Sequence, residues 1–143
     1  MTVKIELSRK QRDTVTLEAE KAFPAECCGL LIGRGQSLIT VTNVVAVENQ
    51  AESQNRFLID PQCQFDWMRK LRGTNERIVG LYHSHPNGRT TPSSHDAEMA
   101  IDPDQLWLIV PMTEGVAGEI AGFQSKGAGE GFCDASVVIA DES

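Results

Sequence analysis

The sequence predicts a single mixed α/β domain, a curved and mostly antiparallel sheet flanked by helices. Three observations carry that expectation. At 143 residues the chain has the length of one compact domain with a real core. Its apolar fraction of 41% and charged fraction of 23% are those of a globular protein. Segments of strand-like alternation and of helix-like periodicity also follow one another through short turns, with no repeat, linker or low-complexity stretch. Residues 1–140 therefore read as one domain, and 141–143 as a short acidic tail that should fray.

Val3 to Leu7 alternates apolar and polar residues, as a half-buried strand does. Ser8 is a plausible N-cap for a helix to about Ala22, on which Val15, Ala19, Ala22 and Phe23 share one face before Pro24 ends it. Cys27 to Ile32 is an apolar run that predicts a buried strand, with Gly33-Arg34-Gly35 as a tight turn. The β-branched stretch from Ser37 to Val47 should complete a hairpin with it. Phe57 to Ile59 reads as a short strand. Asp60-Pro61 opens a second helix, and Gly73 closes it. Arg77 to His85 is strand, Ser93 to about Ile101 a short helix, and Leu106 to Val110 a central strand. From Gly115 onward the glycine-rich, alternating pattern predicts strand–turn–strand, with Phe132 to Ala140 last.

Charge narrows the function. A net charge of -7, from 20 acids against 13 bases, argues against a nucleic-acid binder, which needs basic patches to displace phosphate counterions. It also disfavours docking on anionic membranes. The start MTVKIELSRKQRD has no apolar signal-peptide core, and no apolar run reaches membrane-spanning length. A soluble cytoplasmic protein is expected, with Cys27, Cys28, Cys63 and Cys133 reduced. Cys27 and Cys28, inside CCGLLIG, should be small buried side chains. No Cys-x-x-Cys pair supports a structural zinc site, and an apolar setting disfavours a Cys27 thiolate nucleophile.

The informative stretch is Leu81 to Met99, LYHSHPNGRTTPSSHDAEM. Strand side chains alternate, so His83 and His85 project from one face and can converge on a single ion. Pro86 turns the chain away, and a polar loop can bring the next helix back over the strand end. On that helix Asp96 shares a face with Met99 and Ala100. A carboxylate pointing inward there must be paired or must coordinate a metal. Ser93-x-x-Asp96 also fits a capping box, so position alone leaves both readings of Asp96 open. Two histidines and a carboxylate would supply the three protein ligands of a catalytic zinc site, leaving a fourth position for water. Glu26 is the best candidate for a proton acceptor that is not a ligand, an acid heading an otherwise apolar strand. Glu18 and Glu20 on the first helix read as solvated, and His95 lies off the Asp96 face.

These residues resemble the JAMM (MPN-plus) metallopeptidase family in its short prokaryotic form. Its pattern of a distant glutamate, His-x-His-Pro, a loop and Ser-x-x-Asp is matched by Glu26, His83-Ser84-His85-Pro86, six residues, and Ser93-Ser94-His95-Asp96. The resemblance implies an MPN/JAMM fold, which is cytidine-deaminase-like, and one zinc ion per chain held by His83, His85 and Asp96. It implies Glu26 as general base and Ser93 as a hydrogen-bond donor to the tetrahedral intermediate. Members cleave peptide or isopeptide bonds at the tails of ubiquitin-like proteins. A chain this short has little room for the insertions that grip ubiquitin chains, so a small sulfur-carrier protein ending in Gly-Gly is the expected substrate. A peptidase of cell-wall or phage-tail peptides and a non-catalytic MPN scaffold are the alternatives. Scaffolds typically lose a ligand, and this chain keeps all of them.

Overall fold

The computed structural model describes residues 2–51 and 56–140; the acidic tail expected at 141–143 lies outside them. In order along the chain the elements are β1 (Lys4–Ser8), α1 (Arg9–Ala22), β2 (Cys28–Arg34), β3 (Leu38–Val47), α2 (Pro61–Leu71) and β4 (Arg77–His85). They are followed by α3 (Ser94–Met99), β5 (Leu106–Thr113), β6 (Val116–Ala117), β7 (Ala121–Ser125) and β8 (Phe132–Ala140).

The strands pair in the order β4-β2-β3-β1-β8-β7-β5, and β4 also pairs with β5, so the sheet closes on itself. Closure removes the unpaired edges that an open sheet exposes. β2 is antiparallel to both β3 and β4, and β7 to both β5 and β8. β1 runs parallel to β3 and β8, and β4 parallel to β5. The antiparallel majority that the sequence predicts is therefore narrow. β6 is a short extension paired with β5.

Side-chain alternation divides the core. Ile5, Leu7, Leu31, Ile39, Val41, Tyr82, Leu106, Leu108 and Val110 face inward and pack with Val15 and Ala19 of α1. That helix touches β1, β3, β5 and β8. It starts at a capping box: Ser8 Oγ accepts from Gln11 N and Gln11 Oε1 accepts from Ser8 N. On the other side of the sheet, Cys28, Leu30, Leu81, Trp107 and Ile109 pack with Phe57, Ile59 and Ala100, and with Cys63 and Trp67 of α2. That second core is the floor of the site described below.

Four local expectations change. The β2–β3 turn is not Gly33-Arg34-Gly35: β2 runs through Arg34, and the reversal falls at residues 35–37, where Gly35 has φ +104. Only the third residue of the triplet needs a left-handed backbone. Phe57 to Ile59 is not a strand, although Phe57 and Ile59 are buried and Leu58 is exposed as alternation requires. Leu58 N donates to the Asn49 side chain, and Leu58 O accepts from Gln50 N. The third helix ends at Met99 rather than Ile101, its Ala100 N still bonded to Asp96 O. Glu18 is not a solvated acid: it is half-buried and accepts from Tyr82 Oη at 2.5 Å, and burial raises its pKa. Tyr82 in turn lies across Gly29, where a Cβ would fall on its ring.

Candidate metal centre

Strand β4 presents Tyr82 and Ser84 to the inner face and Leu81, His83 and His85 to the other. Its partner β2 sets Cys28 opposite His83, and Ser84 N donates to Cys27 O at 3.2 Å. Glu26 lies just before β2, close enough to His85 for the two charges to interact.

β4 stops because Pro86 cannot donate to a ladder. The chain turns back through a Gly88 N to His85 O bond of 3.0 Å, with Gly88 at φ +83. Asn87 Oδ1 accepts from Arg89 N at 3.0 Å, and the Arg89 carbonyl meets His85 Nδ1 at 3.1 Å. A carbonyl can only accept, so His85 carries a proton on Nδ1, and the neutral ring turns its Nε2 lone pair toward the site while the protonated ring donates from Nε2 to Asp96. His83 is wedged against Phe57, stacked at 4.3 Å between centroids, and against the edge of Trp107 at 5.6 Å. Its Nδ1 has no hydrogen-bond partner among the described residues.

Three atoms meet in front of these rings. His83 Nε2 and His85 Nε2 lie 3.0 Å apart, and Asp96 Oδ2 is 3.2 Å from the first and 3.0 Å from the second. All three residues are buried. A tetrahedral ion with bonds of about 2.0–2.1 Å has ligands about 3.3–3.4 Å apart, close to the 3.0–3.2 Å found here. Two imidazole lone pairs and a carboxylate oxygen form a donor set suited to a borderline-soft divalent ion. These residues could hold a metal ion, and they fit one.

The two sequence readings of Asp96 turn out to be compatible. Ser93 Oγ accepts from Asp96 N at 3.0 Å, and Asp96 Oδ2 accepts from Ser93 N at 2.9 Å, a complete capping box. The same Oδ2 atom faces both histidines. The cap therefore aims the carboxylate rather than competing with that contact.

The electrostatics match this arrangement. Burial would raise the Asp96 pKa, but hydrogen bonds from His83 and His85, and from Ser93 N, hold it well below the usual carboxylate range. Burial lowers the pKa of His83 despite Asp96. His85 is also penalised by burial, yet Asp96 and the Arg89 carbonyl raise its pKa. Glu26 is buried, and burial pushes its carboxyl up to about 7, with His85 pulling it down and Asp96 adding to the rise. Its Oε1 has no hydrogen-bond partner among the described residues. Burial pushes the Cys27 and Cys28 thiols up to about 12, so neither is a ready nucleophile.

The structure brings His83, His85, Asp96, Ser93 and Glu26 to one end of the β2–β4 pair. His95 stays outside, its Nδ1 3.9 Å from Glu98 Oε1 on the helix surface. The sequence did not single out Phe57, the Arg89 carbonyl or Asn49, whose side chain donates to Glu26 O at 3.0 Å. A carbonyl has no sequence signature, and among the described residues Asn49 acts only on backbone groups.

The prokaryotic homologs of the JAB domain match residues 8–121 of the chain. Desampylase of Haloferax volcanii is 32% identical over 111 residues, covering 74% of this chain and 79% of that protein. CysO-cysteine peptidase of Mycobacterium tuberculosis is 27% identical over 103 residues, covering 68% and 66%. A protein of Desulfitobacterium hafniense, solved in solution, superposes with a TM-score of 0.83 at 28% identity over 96% of this chain and 94% of its own. A structure described as JAMM, a metalloprotease-like zinc site in the proteasome and signalosome, shares the fold, with a TM-score of 0.54 at 18% identity over 96% of this chain and 99% of its own. Matched over most of its length by the family and carrying the His-x-His and Asp cluster in place, the chain belongs to the prokaryotic homologs of the JAB domain, short members of the JAMM peptidases and isopeptidases.

Proposed function

We propose that the chain is a zinc-dependent peptidase or isopeptidase that cleaves after the Gly-Gly tail of a small ubiquitin-like or sulfur-carrier protein. The observation that carries the reading is the convergence of His83 Nε2, His85 Nε2 and Asp96 Oδ2 within 3.0–3.2 Å of one another, buried beside an acid with an unpartnered oxygen. His83, His85 and Asp96 are the zinc ligands. Zinc held there supplies a Lewis acid that polarises a peptide carbonyl and acidifies water.

Glu26 is the general base. Its Oε1 takes the proton of the attacking water and returns it to the leaving amine nitrogen. In the metal-free protein burial pushes this carboxyl up to about 7, and a cation held beside it would draw it back toward the ionised form that a base needs. Ser93 Oγ accepts the Asp96 amide and keeps its own hydrogen to donate to the oxyanion of the tetrahedral intermediate. Substrate class rests on the desampylase and CysO-cysteine peptidase relatives, whose names describe action on such carriers. We infer a cytoplasmic enzyme from that substrate class. Among the described residues no helix is long and apolar enough to cross a membrane.

The test is to incubate the zinc-loaded protein with a Gly-Gly-ending carrier extended by a C-terminal peptide and to follow the mass of the product. Trimming at Gly-Gly, stopped by a chelator and slowed roughly 10²–10⁴-fold by Glu26→Gln with zinc retained, is the expected result. Absence of trimming, or a Glu26→Gln protein of near-normal turnover, overturns the reading.

A further inference from the structure

Asn49 follows the end of β3 and is half-buried. Its Nδ2 donates to Glu26 O at 3.0 Å and to Arg56 O at 2.9 Å. Its Oδ1 accepts from Ala51 N at 2.9 Å and from Leu58 N at 3.0 Å. A carboxamide has two N–H donors and two acceptor lone pairs, so every hydrogen-bonding position of this side chain is used. Among the described residues every partner is backbone.

The peptide unit that contributes Glu26 O also contributes Cys27 N, which donates to Ser84 Oγ at 2.9 Å. One planar group is thus gripped from both sides, its carbonyl by Asn49 and its N–H by Ser84. A planar peptide held at both ends cannot rotate, which fixes the backbone from which the Glu26 side chain departs. Ser84 is the residue between His83 and His85, so the grip refers Glu26 to the strand that carries those histidines. The other side of the amide holds Arg56 O and Leu58 N, the backbone groups flanking Phe57, and Phe57 is the ring stacked on His83.

We propose that Asn49 is a positioning residue, clamping with Ser84 the peptide unit that follows Glu26 and so holding the acid in register with His83 and His85. This rests on the reading of Glu26 as general base. A misplacement of about 1 Å at a reacting group can cost roughly 10²-fold in rate, so a loose Glu26 should lower turnover without weakening metal binding.

Two substitutions separate the parts of the clamp. Asn49→Ala removes all four hydrogen bonds. Asn49→Asp keeps the acceptor for Ala51 N and Leu58 N and removes both donors. Hydrogen exchange resolved at single amides, zinc affinity by competition with a chromogenic chelator, and kcat and KM on the extended Gly-Gly carrier would be compared with wild type and Glu26→Gln. Asn49→Asp should speed exchange at Cys27, leave Ala51 and Leu58 protected, hold zinc as tightly as wild type, and lower kcat roughly 10- to 100-fold with little change in KM. Asn49→Ala should in addition expose Ala51 and Leu58. If wild type cleaves and Glu26→Gln does not, the functional reading stands, and a wild-type kcat in Asn49→Asp overturns the clamp whatever the exchange shows. If wild type does not cleave, or Glu26→Gln is as active, the functional reading falls. The clamp is then judged on the Cys27 amide alone: faster exchange in Asn49→Asp supports it, and unchanged protection overturns it.

Discussion

Glu26 should make the metal-free protein less stable as the pH rises, and Glu26→Gln should abolish that loss. Burial raises the carboxyl from its ordinary value of 4.5 to about 7. A raised carboxyl pKa means the folded state binds the proton more tightly than the unfolded chain. Its contribution is fully present below 4.5 and is lost as the pH climbs to 7. With one pKa unit worth about 1.36 kcal/mol, the loss is about 1 kcal/mol at pH 5, about 2 at pH 6 and about 3 at pH 8. Gln keeps the shape without the charge. The stability of Glu26→Gln relative to wild type should therefore rise by about 2 kcal/mol between pH 5 and pH 8. Urea unfolding of the chelator-treated proteins at several pH values measures it. Comparing the two proteins at each pH removes the titrations common to both and leaves that of Glu26 with its coupling to His85 and Asp96. A difference that stays flat across this range would refute the burial argument and with it the raised pKa of Glu26 in the metal-free protein.

His83→Ala, His85→Ala and Asp96→Ala should each lose most bound zinc by atomic absorption while His95→Ala keeps it, because only the first three donors converge. Zinc affinity of the wild type should weaken as the pH falls through the histidine range, since Asp96 favours a proton on His85 that the metal must displace. Ser93→Asp should cap α3 and fold, yet remain roughly 10²–10³-fold slow with zinc bound, because an ionised carboxylate cannot donate to an oxyanion; a zinc-loaded variant with wild-type turnover would leave Ser93 as a cap alone. Gly29→Ala should cost about 1–3 kcal/mol in urea unfolding, as its methyl must displace the buried Tyr82 ring; unchanged stability would show that the ring can move aside.

Much of the molecule was legible in the chain, for local reasons. Ser8 and Asp60 cap their helices, Pro61 and Gly73 punctuate α2, and Arg77 to His85 is strand from end to end. Strand alternation alone put His83 and His85 on one face, and a three-residue spacing put Ser93 and Asp96 in a cap. Each of these follows from a period or a cap, which short stretches of sequence contain. Other features depend on partners distant in the chain. The closing of the sheet through β4 and β5 is one, and it makes β4 parallel to one neighbour and antiparallel to the other. Glu18 looked solvated until β4 brought Tyr82 to it across 64 positions. Phe57 to Ile59 has the alternation of a strand, but its amide pairs with the Asn49 side chain instead of a ladder. The sequence could likewise propose Asp96 as cap or ligand but not as both. Only the fold decided that one oxygen serves Ser93 N and faces two imidazoles, because a carboxylate's neighbours are set by packing while its position in a helix is set by spacing.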